Sequence, residues 1–202
     1  MGYSQSDVEI LAAIEELRAT IRNPLLQQTG LFNGTGITST SPLSVGLELA
    51  ATGTTFAGGT YTANDAFYIP FRVVTPNAVA YKIAVANGAV ASGNVDVGIY
   101  DGSRNKLVSS GSTAQAGTTT LQVFDITDTA LPMGKYWMAV AIDNATGTMF
   151  RQSAGFGAGF TALIDVRKEA SAFPLPATAT FAAAGTSVAT ILMGVILRSD
   201  WA

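Results

Sequence analysis

The chain has 202 residues, of which 12% are charged and 48% hydrophobic; its formal net charge is -3, and it has neither histidine nor cysteine. The basic residues are scattered from Arg18 to Arg198, which excludes the clustered Lys/Arg surface that a phosphate backbone requires. Without histidine or cysteine there is no Ser-His-Asp or Cys-His catalysis and no disulfide support, and the commonest zinc ligand is missing.

An average soluble protein is roughly 25% charged, so much of this surface must be Ser, Thr, Asn, Gly and Ala. Such a surface suits an extracellular or particle-bound protein whose neighbours hide part of it, and favours an obligate oligomer. Met1-Gly2-Tyr3-Ser4 lacks the basic region and apolar core of a signal peptide. The longest apolar run, Val188 to Leu197, is half the length of a membrane-spanning helix and reads as a buried strand. The expectation is assembly in the cytoplasm without membrane insertion.

Ser6-Asp7-Val8-Glu9 has the form of a capping box, in which the Ser6 hydroxyl accepts from the Glu9 amide and the Glu9 carboxylate reaches back. Ile10, Ile14, Leu17 and Ile21 then lay one narrow stripe along a helix, the seam of a short coiled coil. Acids (Asp7, Glu9, Glu15, Glu16) come early and bases (Arg18, Arg22) late, which complements the helix dipole, and Asn23-Pro24 stops the helix. About 16 residues is marginal for an isolated helix, so residues 1–24 are expected to bundle with their copies or to dock on a larger particle. Isoleucine at both kinds of seam position favours a homotrimer. A helix packed on its own domain is the alternative.

Residues 25–65 read as an extended linker with edge strands. Phe32-Asn33-Gly34-Thr35-Gly36 and Ala57-Gly58-Gly59-Thr60 are turn-rich, and Val45-Gly46-Leu47-Glu48-Leu49 is a short apolar stretch between them.

Residues 66–202 read as the main β domain. Phe67 to Val74 is apolar and β-branched, and Pro70 within it marks an edge position or a bulge. Val79, Tyr81, Ile83 and Val85 alternate with small or polar residues, as do Val95, Val97 and Ile99. Tyr100-Asp101-Gly102 is a turn, Leu107-Val108 a return strand, and Thr119, Leu121, Val123 and Ile126 another strand before the Leu131-Pro132-Met133-Gly134 turn. Tyr136 to Ile142 is continuously apolar, which predicts a central strand covered on both faces. Phe160–Val166, Thr178–Ala183 and Ser187–Arg198 are expected to close the fold. The fold class is therefore mainly β: a jelly-roll-like β-sandwich preceded by one short α-helix, with a β-barrel as the other pattern-compatible form.

The run Gly93-Asn94-Val95-Asp96-Val97-Gly98-Ile99-Tyr100-Asp101-Gly102, followed by Lys106-Leu107-Val108-Ser109-Ser110-Gly111-Ser112, resembles a β-sandwich module of tailed-bacteriophage structural proteins. Leu131-Pro132-Met133-Gly134-Lys135-Tyr136-Trp137-Met138-Ala139-Val140-Ala141 resembles the same module's "L-x-x-G-x-Y-x-x-A" strand. The likeness covers roughly residues 66–150. Physically, Asp101-Gly102 reverses the chain between paired strands, and Gly134 frees the backbone to turn before the Tyr136 and Trp137 rings bury. The resemblance implies a virion protein with an N-terminal attachment segment and an exposed β domain: a fibre or appendage subunit, or alternatively a capsid decoration protein. A carbohydrate-binding module has similar elements and is the third reading. The implied partners are other copies of the chain, other virion proteins and a host surface glycan.

No catalytic, cofactor or metal residues are nominated. Asp96, Asp101, Asp125, Asp128, Asp143, Asp165 and Glu169 are the acids of the β region, expected mostly at strand ends and turns as caps, so a two-carboxylate glycosidase is not expected. Asp125-Ile126-Thr127-Asp128 has hard oxygen ligands for calcium but reads better as a capped turn. Gly155-Phe156-Gly157-Ala158-Gly159-Phe160 lacks dinucleotide-loop spacing and reads as a flexible loop with two aromatic anchors. For sugar stacking the sequence offers Tyr61, Tyr68 and Tyr100, with core packing as the competing role of each.

Overall fold

In a computed structural model of the chain, the described residues are 43–44, 56–74, 76–152, 165–183 and 191–199. The expected helix over Ser6–Asn23 lies outside them, as do the turn-rich Phe32–Gly36 and the glycine loop Gly155–Phe160. The described residues are mainly β and contain no α-helix. The strands are β1 (Leu43–Ser44), β2 (Phe56–Gly59), β3 (Ala66–Val73), β4 (Ala78–Ala86), β5 (Asn94–Tyr100), β6 (Lys106–Ser109), β7 (Thr113–Ala114), β8 (Leu121–Leu131), β9 (Gly134–Ile142), β10 (Met149–Gln152), β11 (Arg167–Glu169), β12 (Ala182–Ala183) and β13 (Met193–Ser199). They form a four-stranded sheet in the order β1-β13-β4-β8, a larger sheet in the order β12-β11-β3-β9-β5-β6 with β7 beside β5, and a β2–β10 ribbon. All these pairings are antiparallel.

Strand β9 is central, as its unbroken apolar sequence requires. It pairs with β3 from Ala66↔Ala141 to Val73↔Gly134 and with β5 from Val95↔Ile142 to Tyr100↔Trp137. Its side chains alternate between two buried clusters. Tyr136, Met138, Val140 and Ile142 join the main core with Phe67, Ile69, Phe71 and Val73 of β3 and Val95, Val97 and Ile99 of β5. Into the same core the four-stranded sheet contributes Ile83 and Val85 of β4, Phe124 and Ile126 of β8, and Met193, Val195 and Leu197 of β13. Pro70 is tolerated within β3 because the β11 pairing covers only Ala66–Tyr68, so past Tyr68 no β11 carbonyl awaits an amide proton.

In the four-stranded sheet, two register shifts meet at Tyr81. Against β13, the pairs Ile196↔Lys82 and Leu197↔Ala80 leave Tyr81 as an extra residue on β4. Against β8, Ala80↔Thr129 gives way to Lys82↔Asp125, so Ile126–Asp128 bulge from the opposite strand. An extra residue swaps the faces of a strand. Accordingly Ala78 and Ala80 face the core before the bulge and Ile83 and Val85 after it, while Val79 and Tyr81 stand outside the core cluster. The simple alternation expected from Val79 through Val85 is thus corrected, as is the capped turn at Asp125–Asp128, which lies inside β8.

The second face of the larger sheet is covered by the segment around β11 and β12. Ala172, Leu175, Ala179 and Phe181 bury against Ala66, Tyr68, Tyr100, Trp137, Ala139 and Ala141. Phe181 wedges between Tyr68 and Trp137, at ring-centroid distances of 4.7 and 4.8 Å, and the Arg104 guanidinium lies 4.6 Å from its centroid. Here the sequence pattern overstated strand. Asp165–Val166, the described end of the expected Phe160–Val166 strand, are turn and coil, and within Thr178–Ala183 only Ala182–Ala183 is strand. The segment crossing the sheet face finds backbone partners at the distant start of β6: the Lys106 amide donates to Ala177 O (2.8 Å) and the Ala179 amide to Arg104 O (2.9 Å). Truncating Phe181→Ala should cost about 3–5 kcal/mol in urea unfolding, the usual loss for a buried phenylalanine.

The turn glycine Gly134 is far less constrained than Gly93. A Cβ at Gly134 would meet nothing nearer than Tyr136 Cε2 at 3.6 Å, an ordinary contact. Gly93 has φ +67, and a Cβ there would lie 2.1 Å from Asn144 Nδ2 and 2.2 Å from Asp143 Oδ1. Gly93→Ala should therefore lower unfolding stability by about 1–3 kcal/mol, while Gly134→Ala should stay within about 0.5 kcal/mol of wild type. Chemical denaturation of the two variants checks this.

Candidate functional site

The three tyrosines that could have stacked on a sugar are inside. Tyr61, Tyr68 and Tyr100 are 8%, 0% and 0% exposed. The Tyr68 hydroxyl donates to Glu169 Oε2 (2.9 Å) and that of Tyr100 to Pro176 O (2.6 Å), while Tyr61 packs edge-on against Phe67 with Arg151 5.4 Å from its ring centroid. Burial raises all three phenol pKa values.

The acids are spread through the fold, each with its own partners. Asp101 accepts from the Asn105 amide (2.8 Å), the capped turn that the sequence predicted. Asp143 Oδ1 accepts from the Asn94 amide (2.7 Å) and Oδ2 from Asn94 Nδ2 (2.8 Å). Burial opposes the ionised Asp143, but hydrogen bonds from Asn144 and Asn94 outweigh it and hold the carboxyl below the usual range. Glu169 accepts from Tyr68 and from the Thr180 hydroxyl (2.7 Å). Asp165 pairs with Lys135 and Arg167, and the buried Asp65 with Lys168 at 2.6 Å. Among the described residues no three His, Cys, Asp or Glu side chains gather where they could hold a metal ion.

At one end of the sheets, amides tie three loops together. Asn87 Nδ2 donates to Ala116 O (2.7 Å) and Gln122 Oε1 (2.9 Å); Gln115 Nε2 donates to Asn87 Oδ1 (3.0 Å) and Thr148 O (2.9 Å). Gln115 Oε1 in turn accepts from the Ser92 amide (3.0 Å). Asn87 and Gln115 are 1% and 7% exposed, and their donors and acceptors are used within the fold. The network fixes the positions of these loops.

Among the described residues, Asp96 and Asp65 are the most deeply buried acids. Asp96 is 1% exposed on β5, with Oδ2 accepting from the Leu175 amide at 3.0 Å and Oδ1 lacking a well-oriented partner. Lys106 Nζ donates to Leu175 O (2.7 Å), so one residue of the covering segment is held from both sides. Burial raises the Asp96 carboxyl pKa; the Leu175 amide, the Lys106 charge, Ser109 and the Gly111 amide pull the other way without cancelling it.

On the outer side of the four-stranded sheet, aromatic and charged side chains gather at the double bulge. At the double bulge Tyr81 is half-buried, with Lys82 Nζ 5.9 Å and Arg198 Cζ 5.6 Å from its ring centroid. Lys82 pairs with Asp125 at 2.9 Å and Arg198 with Asp128. Farther along β8, Leu121 and Val123 point the same way and are 41% and 45% exposed. Sequence reasoning missed this site because Tyr81 read as a core residue; the signal was the Tyr81-Lys82 pair, which a regular strand would send to opposite faces. The arrangement has the makeup of a contact surface: an aromatic and an arginine beside exposed aliphatics, rimmed by charge.

Comparison of the chain with protein-family models, with curated proteins and with solved structures gave no match.

For Asp96 the sign of the pH effect follows from its raised pKa. The contribution is full below the ordinary aspartate pKa, where the group is protonated folded and unfolded, and is lost as pH rises through the elevated folded value. Asp96→Asn keeps an acceptor for the Leu175 amide and removes the titration. Its stability relative to wild type should therefore rise from acid to neutral pH, as read from urea midpoints at each pH.

Proposed function

We propose that this chain is a non-enzymatic structural subunit of a tailed-phage virion. In this reading it is a jelly-roll-like β-sandwich, joined through residues 1–24 to its copies or to the particle, with the β domain projecting as part of a fibre or appendage. One observation carries the reading: the buried ionisable side chains serve the fold, as Asp96 does for the covering segment and Asp65 for the β3–β11 seam. The sandwich form is supported by the core that the two larger sheets share, and by the β3–β4 and β8–β9 links, each of which passes from one of those sheets to the other. Burial of Tyr61, Tyr68 and Tyr100 removes these three as stacking residues for the carbohydrate-module reading.

Light scattering after size exclusion tests the proposal, with the full chain run beside a chain beginning at Leu25. A trimer that loses mass on removal of residues 1–24 is the expected result. A monomer in both cases overturns the fibre reading and points to a capsid decoration protein anchored to its shell.

A further inference from the structure

We infer that the end of the fold formed by the β3–β4, β5–β6 and β8–β9 connections docks on the surface of an anionic lipid bilayer. The inference goes beyond the virion reading and depends neither on it nor on residues 1–24.

This end combines exposed apolar side chains with bases. Arg72↔Lys135 and Val73↔Gly134 are the last pairs between β3 and β9, so Val74 and Met133 follow side by side where the two strands end. Met133 is 65% exposed and Val74 40%, and Pro76 and Pro132 beside them are exposed as well. Directly behind this tip, Arg72 and Lys135 project away from the main core, because their chain neighbours Phe71, Val73 and Tyr136 point into it. Both bases are exposed. The β5–β6 turn lies against them: a Cβ at Gly102 would be 3.3 Å from Lys135 O. From that turn the exposed Arg104 lies over Phe181, 4.6 Å from its centroid, while Lys135 Nζ is 4.5 Å from the centroid of the adjoining Trp137.

These bases are far apart in sequence, and only the fold gathers them. Among the described residues the acids at this end are Asp165, which lies between Lys135 and Arg167, and Asp101, which is spent on the Asn105 amide and side chain. Arg72 and Arg104 have no ion-pair partner among the described residues. Arg72, Arg104, Lys135 and Arg167 therefore outnumber the acids locally, on a chain whose net charge is -3. A soluble polyanion would answer these bases and leave Met133 and Val74 in water. An anionic lipid surface answers both. The apolar tip enters among the headgroups, and the long arginine and lysine stems lie along the boundary with their charges at the phosphates. The contact is peripheral, at headgroup depth.

Vesicle flotation of the full chain tests this. The chain should rise with vesicles of phosphatidylcholine and phosphatidylglycerol in equal parts and stay down with phosphatidylcholine alone. High salt should release it, because exposed charges are screened. Arg72→Glu and Met133→Asp should each weaken binding about tenfold or more, one through charge and the other through the apolar tip. Lys82→Glu makes the same change in net charge on the four-stranded sheet and should float as wild type. Arg72→Gln serves if the charge reversal disturbs folding. A wild-type chain that stays down with both vesicles overturns the inference. So does flotation that neither variant changes, or that Lys82→Glu weakens equally. Loss in Arg72→Glu with Met133→Asp unchanged overturns the lipid assignment in favour of a soluble polyanion. The virion reading is tested by mass and this one by flotation, so the two fail separately.

Discussion

Strand β9 lies between β3 and β5, and its side chains alternate between two apolar clusters, one shared with the four-stranded sheet and one with the segment around β11 and β12. Burial on both faces forces a central strand to be apolar at every position, and leaves its amides and carbonyls no partner but the neighbouring strands. The rest of the molecule follows from that requirement. One face is closed by the four-stranded sheet, where Ile83, Phe124 and Val195 meet Val97, Met138 and Val140. The other is closed by a segment with little strand of its own, pinned by Phe181 and Leu175 and by the polar contacts of Asp96, Lys106 and Tyr100.

With 12% charged residues, the fold uses its ionisable groups sparingly and mostly for itself. Asp143 fixes the start of β5, Glu169 joins Tyr68 to Thr180, and Asp65 secures β11 through Lys168. Neutral amides do the same for the loops around Asn87 and Gln115. Interior polar groups are thus mostly spent on the fold, with Asp96 Oδ1 lacking a well-oriented partner, while Lys82, Asp125, Asp128 and Arg198 gather around Tyr81.

That gathering exists because of two register shifts. One extra residue on β4 and a bulge on β8 turn Tyr81 and Lys82 to the same side and bring Asp125, Asp128 and Arg198 into reach. The same local departure from regular strand geometry blunts β8 as an edge.

The sequence by itself determined much of the β pattern. Strand periodicity located β3, β5 and β9 within a few residues, and for β13 its C-terminal end; the length of the apolar run at Tyr136–Ile142 placed β9 at the centre; and Asp101 and Pro132–Met133 marked turns that the structure contains. These are local consequences of side-chain alternation and turn chemistry. Tertiary structure alone decided the rest. Whether Tyr61, Tyr68 and Tyr100 are buried depends on what covers them, and for Tyr68 and Tyr100 the cover lies some 70 residues or more away, at Pro176 and Glu169. Which face Tyr81 takes depends on a bulge, set by pairing with β8 and β13 and not by its neighbours in sequence. Gly93 has a left-handed backbone, and a Cβ there would meet Asn144 and Asp143 of a distant loop, a contact that no local motif reports.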